Sequence, residues 1–280
     1  MTRTEELNVT VIGAGNWGSS LIAALRAAGL GPREIIRRKG WQRARFDARI
    51  IWLCLPDAEI AAVAEKLVAR AQRLRGENAL RGQIVVHSSG ALSADVLEPA
   101  RRAGAKIASV HPVMTFPTRR VVPLQGVMFG IEAHGPSVRR ELSSLVKRMG
   151  GVPFAVKPEA KALYHAAGVM ASPLLVSTLT AATETARLAG LDEKTAAKWV
   201  RSLSEATASN VFAHGPRSSF SGPFARGDAA TITLHLEALN EHPILAGVYR
   251  SLAHHAVYAL PVKNRRALLK AIGTGARTLK

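Results

Sequence analysis

Gly13-Ala14-Gly15-Asn16-Trp17-Gly18 spells G-x-G-x-x-G directly after the apolar run Asn8–Ile12. In that context each glycine has its own task. Gly13 permits a tight turn, Gly15 lets backbone approach a pyrophosphate, and Gly18 lets the following helix pack close to the strand. The free N–H groups opening that helix attract phosphate. Further on, Leu55-Pro56-Asp57, Ser88-Ser89-Gly90 and His111-Pro112 each close a short apolar run. Lys161, Tyr164, His165 and Gly168 stand at i, i+3, i+4 and i+7, the spacing of one helix face. A lysine or histidine can hand a proton to a heteroatom that receives a hydride. The expected cofactor contacts are therefore the six motif residues with Leu55, Pro56, Ser88, Ser89 and Gly90. Lys161 and His165 are the expected proton donors. His111, Tyr164, Gly168 and Arg226 are the expected substrate contacts.

The elements that must hold these residues follow from hydrophobic periodicity. Short β-rich runs fall at Asn8–Ile12, Glu34–Ile36, Arg49–Leu55, Ile84–His87, Lys106–Val110, Val127–Ile131 and Val152–Val156. Helical patterns separate several of them, notably 58–74 and 137–149. Such alternation implies a mostly parallel sheet with helices on both faces, whose ligands bind at the carboxyl ends of the strands. After Pro158 the pattern becomes wholly helical. A long helix is expected to about Ala189, a second capped by Asp192 to about Phe212, and a loop at 214–227. A third helix capped by Asp228 and two more around Pro261 complete the reading. The expected domains are 1–157, binding a dinucleotide, and 158–280, all-helical. Ala162–Thr183 has no charged side chain, but His165, Pro173 and its hydroxyl residues favour a buried helix over a membrane span. Pro173 should kink it.

The second strand runs into Arg37-Arg38-Lys39, where a site for an unphosphorylated dinucleotide would carry an acid. Glu34 lies at the strand's other end. Guanidinium groups hold a phosphate by paired bonds, so this edge selects NADP(H) over NAD(H). The link from Arg37 to Ala48 is too short for more than a turn or two of helix. The chain's formal charge is +18, with 38 Lys and Arg against 20 Asp and Glu. The excess is scattered, and aromatics make up only 5%, so a stacking surface for nucleic acid is absent from the pattern. Cys54 is the single cysteine, which excludes an internal disulfide. His254 and His255 have no metal-ligand spacing with other residues, and no metal is expected. Asp57 reads as a helix cap, and His111 as a proton donor or a group satisfying its own turn.

The combination of GAGNWG, Leu55-Pro56-Asp57, His87-Ser88-Ser89-Gly90, Ser109-Val110-His111-Pro112, Tyr164-His165-Ala166-Ala167 and Gly222-Pro223-Phe224-Ala225-Arg226-Gly227-Asp228 resembles one family along nearly the whole chain. These are Rossmann-like candidate NADP-dependent oxidoreductases with a helical C-terminal domain of unknown function. Their layout is similar to pyrroline-5-carboxylate reductase, ketopantoate reductase and the 6-phosphogluconate/β-hydroxyacid dehydrogenases. The resemblance implies an NADP-binding fold and a homodimer through the helical domain. Two features depart from it. Pro173 stands where an asparagine is usual, and the second crossover is shortened.

Together these readings describe a cytoplasmic oxidoreductase moving a hydride between NADP(H) and a small, anionic oxo, hydroxy or imine substrate, with no membrane partner. A non-catalytic NADP(H)-binding sensor is the alternative. A basic nucleic-acid-binding protein is a third.

Overall fold

The structure, a computed structural model, describes residues 7–37 and 40–273. It divides into two compact units, residues 1–170 and 171–280. The first is built on a seven-stranded sheet, β1 (Val9–Ile12), β2 (Glu34–Ile36), β3 (Ile50–Leu53), β4 (Ile84–His87), β5 (Lys106–Pro112), β6 (Met128–Ala133) and β7 (Val152–Ala155), in the order β2-β1-β3-β4-β5-β6-β7. Pairing is parallel except between β5 and β6, which run antiparallel. Strands β1, β3 and β4 are fully buried and almost wholly apolar, as two covered faces require. Chain order reverses beside β1, the place where such sheets open a crevice for ligand.

Helices cover both faces. On one side α1 (Asn16–Ala27) packs Leu21, Ile22 and Leu25 against Val9, Val11 and Trp52. On the other, α2 (Asp57–Arg75) packs Ile60, Ala64 and Leu67 against Ile51, Leu53 and Val85. The short α3 (Glu98–Arg102) and then α4 (Pro136–Arg148) complete the layers. Among the described residues between β2 and β3 there is a single 3₁₀ turn, Trp41–Arg43, in keeping with the short link. Glu34 organises that link, accepting from the backbone N–H groups of Arg45 and Phe46 at 2.9 Å each.

The long helix is two helices, α5 (Lys161–Ala171) and α6 (Pro173–Leu188). Ser172 leaves the helical region at φ −129°, ψ −86°, and Pro173 opens the next segment, where its missing N–H costs nothing. The expectation that this stretch is buried is corrected. Pro158–Leu188 is long and apolar enough to cross a membrane, and none of its most apolar window is covered by the chain itself. The reason lies in the orientation of α5. Lys161 is buried and Tyr164 half-buried, so the opposite face carries Leu163 and Met170 outward at 78% and 68% exposure.

The second unit continues with α7 (Glu193–His214), α8 (Pro216–Ser219), α9 (Gly222–Arg226), α10 (Ala229–Ala238), α11 (Pro243–Ala259) and α12 (Arg265–Ile272). Its core is Ile232, Leu236, Ala253, Val257, Leu268 and Ile272. Asp192 and Asp228 cap α7 and α10 as expected, accepting from the N–H groups of Thr195 and Thr231. The expected loop at 214–227 instead folds into α8 and α9, each with a proline in its first turn.

The glycines after β1 differ in how closely backbone crowds them. Gly13 has φ +97°, and a Cβ there would meet the Cys54 carbonyl oxygen at 2.3 Å. A Cβ on Gly18 would lie 2.2 Å from the Gly13 carbonyl oxygen, whereas one on Gly15 would meet nothing within 4 Å. Gly18→Ala is therefore expected to cost about 2 kcal/mol or more, because the clash is with backbone. Gly15→Ala should leave thermal unfolding nearly unchanged. Equal losses in the two variants would contradict this assignment.

Candidate active site

The turn after β4 is fastened by its own polar groups. His87 is buried, and its Nδ1 accepts from the Ser89 N–H at 3.1 Å while its Nε2 faces the Ser93 carbonyl at 3.1 Å. The ring therefore carries its proton on Nε2. Burial and the nearby Lys161 push its pKa down to about 4. The Ser89 hydroxyl donates to Asp57 Oδ2 at 2.7 Å and accepts from the N–H groups of Ala91 and Leu92. Its donor and both acceptor positions are thus used within the turn. The expected Asp57 cap is corrected. Asp57 makes no cap bond but sits in the first turn of α2 and anchors Ser89.

Ser88 differs from its neighbour. It is half-buried and accepts two hydrogen bonds, from Trp17 Nε1 at 2.8 Å and from Trp52 Nε1 at 2.7 Å. The Trp17 side chain thus turns inward, against Trp52, Phe116 and Phe129, rather than toward a ligand. Asn16 likewise spends its amide on the Phe116 carbonyl, tying the loop after β5 to the start of α1.

Below the turn lies a buried ion pair. Lys161 and Glu132 are each 2% exposed, with Nζ 3.7 Å from Glu132 Oε2. Nζ also donates to the Ser89 carbonyl at 3.0 Å and to Ser109 Oγ at 2.5 Å. Ser109 passes a hydrogen bond to the same carbonyl, and Glu132 Oε1 accepts from the Ala94 N–H. Burial holds the ammonium below the usual lysine range, and Glu132 acts against that shift. Two Nζ hydrogen bonds and the facing Glu132 carboxylate, whose Oε2 has no hydrogen-bond partner, tie β4, β5, β6 and α5 together at Lys161. Sequence reasoning missed Glu132. Its signal was a lone carboxylate beside the apolar run on β6.

Around Gly90 the structure brings together three expected site residues. A Cβ on Gly90 would fall 2.5 Å from His165 Cδ2 and 2.8 Å from His111 Nε2. The two imidazoles meet edge to face with centroids 5.8 Å apart. His111 Nδ1 lies 2.7 Å from the Tyr164 hydroxyl. Burial pushes the Tyr164 pKa up to about 12, and burial with Lys161 lowers that of His111 to about 4. The phenol thus stays protonated and the imidazole neutral. The phenol is the stronger acid of the two, which makes it the donor and leaves the His111 proton on Nε2, beside Gly90. Gly130 on β6 makes room for this phenol, since a Cβ there would lie 2.7 Å from its oxygen.

The other expected residues have different surroundings. Leu55 packs beside Gly13, and Pro56 is exposed at the end of β3. Arg37 is exposed just past β2, while Arg38 and Lys39 lie outside the described residues. Gly168 is open to one side of α5. Arg226 belongs to the second unit, exposed at the end of α9. There His235 pairs with the Tyr249 hydroxyl at 2.8 Å. Among the described residues no group of three His, Cys, Asp or Glu side chains is placed to hold a metal ion.

Comparison with known families agrees with this layout. Residues 1–112 match the Rossmann-like domain, and residues 127–256 match the Domain of unknown function (DUF2520). The chain is a Rossmann-like domain joined to a DUF2520 domain. The DUF2520 match begins just before β6, so it supplies Gly130, Glu132, Lys161, Tyr164 and His165, while the Rossmann-like match supplies Ser88, Gly90 and His111. No curated protein sequence matches the chain. Among solved structures, a candidate NADP oxidoreductase from Bacteroides fragilis is 21% identical, with a TM-score of 0.70 over 89% of this chain and 96% of that one. An imine reductase from Streptomyces aurantiacus is 15% identical, with a TM-score of 0.60 over 95% and 100%. A pyrroline carboxylate reductase from Plasmodium falciparum, solved with NADP bound, is 14% identical, with a TM-score of 0.58 over 97% and 99%. At these identities the likeness is one of fold.

The two neutral histidines give a pH dependence of stability. Their folded pKa values lie near 4, below the ordinary value of 6.5. Between those values the unfolded chain binds more protons, so stability should fall as pH drops from about 6.5 to 4. His87→Gln should flatten roughly half of that slope in denaturation curves. An unchanged slope would contradict the neutral buried state of His87.

Proposed function

We propose that the chain is an NADP(H)-dependent oxidoreductase that acts on a small carbonyl or imine compound. One observation carries the reading. The glycine turn after β1 and the His111–Tyr164–His165 cluster stand at the carboxyl ends of the same parallel strands, with Gly90 between them. The open space at Gly15 is the cradle that a Cβ would fill, and it fits a pyrophosphate. Arg37 is the cation at the ribose edge. Glu34 is committed to backbone and offers no competing acceptor there, which favours a 2′-phosphate. The NADP-bound Plasmodium reductase shares this fold.

When bound, the cofactor supplies or accepts a hydride. The protein's part is the proton. The Nε2–H of His111 faces Gly90 and meets charge developing on a substrate oxygen or nitrogen, and Tyr164 on Nδ1 holds that tautomer. His165 stands beside His111 on the same side of Gly90 as a second proton group. Lys161 acts through the turn it braces and is a positioning residue. We further infer a cytoplasmic homodimer in which a second copy covers the apolar face of Leu163 and Met170.

Fluorescence titration tests this reading. NADPH is expected to bind, and Arg37→Glu should weaken it at least tenfold while changing NADH little. On a panel of oxo acids and cyclic imines, His111→Gln and His165→Ala should lower turnover and spare NADPH affinity. Failure of the unaltered protein to bind NADPH would overturn the proposal. Equal loss of both cofactors in Arg37→Glu would overturn the 2′-phosphate assignment.

A further inference from the structure

Ser88 stands on the glycine-turn side of Gly90, at the end of β4, with the histidines on the side of β5. Its hydroxyl oxygen has two lone pairs, and two indole N–H groups take them at 2.8 and 2.7 Å. Trp17 comes from the glycine motif itself and Trp52 from the buried strand β3, packed edge to face with ring centroids 6.3 Å apart. Neither indole can accept in return, because the indole N–H is a donor only. No described residue accepts the Ser88 proton. A serine usually serves as donor or acceptor by rotating its hydroxyl, and here that freedom is removed. Of the three residues Ser88 to Gly90, Ser88 alone keeps partial exposure. What it presents is a hydrogen-bond donor.

We propose that Ser88 is the specificity-determining donor for the nicotinamide end of the cofactor, giving its proton to the carboxamide carbonyl oxygen. The assignment rests on the dinucleotide reading above. The sheet order puts β4 between the pyrophosphate turn at β1 and the proton groups at β5, so a ring joining the two lies over Ser88. A donor with no acceptor capacity favours the carboxamide oxygen over its NH₂ group. That choice selects which face of the ring turns toward His111 and His165. Trp17 thereby gains a task in the motif beyond packing. It polarises the residue that reads the far end of the same ligand.

The test uses the full chain and three probes: NADPH, its thionicotinamide analogue, whose sulfur is a poor acceptor, and adenosine 2′,5′-bisphosphate, which lacks the nicotinamide. The unaltered protein should prefer NADPH to the thio analogue by about five- to tenfold, the worth of one hydrogen bond. Ser88→Ala should erase that preference while binding the bisphosphate as before. Ser88→Thr keeps a hydroxyl and should retain the preference. It also serves where loss of the acceptor for two indoles prevents Ser88→Ala from folding. Equal binding of NADPH and the thio analogue by the unaltered protein overturns the Ser88 assignment alone, as does a preference that survives in Ser88→Ala. Failure of both NADPH and the bisphosphate to bind overturns the dinucleotide reading, and this proposal with it.

Discussion

Lys161 and Glu132 have left water together, and the rest of the candidate site hangs on the way they did so. Neither charge could be buried alone at acceptable cost. Their attraction draws α5 down onto the ends of β4, β5 and β6, and the ammonium gives two hydrogens to the Ser89 carbonyl and Ser109. Once α5 is held there, Tyr164 and His165 have one place to go, three and four residues along the same face. The phenol enters the space left by Gly130, and the imidazole enters that left by Gly90. Burial keeps His87 and His111 neutral, and the buried ammonium beside them adds to that by disfavouring a second positive charge.

The turn after β4 shows how closely neighbouring residues of one type can divide labour. Ser89 is saturated by Asp57 and two backbone groups, and Ser88 is saturated on its acceptor side only. One locks the backbone, and the other has no described acceptor for its proton. Both depend on partners far away in sequence, so the candidate site assembles only when the sheet has formed.

Local pattern carried much of this to the sequence. The strand runs, the roles of Gly13 and Gly18, the single turn between β2 and β3, the break at Pro173 and the caps Asp192 and Asp228 all depend on residues within a few positions of one another. The failures are tertiary. Asp57 has the right type and place for a cap, yet a serine 32 residues away claims its carboxylate. Lys161 was legible as a residue on the correct helix face. Periodicity alone could not tell whether that face meets solvent, substrate or a buried carboxylate. Glu132 escaped because the expected strand stopped at Ile131, one residue short of it, and because its partner lies 29 positions on. The uncovered face of α5 and α6 reads as a core helix in any window of sequence. Composition reports apolarity and not what covers it.

A double-mutant cycle on the buried pair tests the central claim most directly. Lys161→Met, Glu132→Leu and the double variant would be compared by chemical denaturation, with the unaltered chain as reference. Each single change strands a buried charge and should cost about 3–5 kcal/mol, while the double variant removes both charges and should lose far less than the sum. Losses that add to within about 0.5 kcal/mol would show that the two residues are not coupled, and would contradict the account of how this site is held.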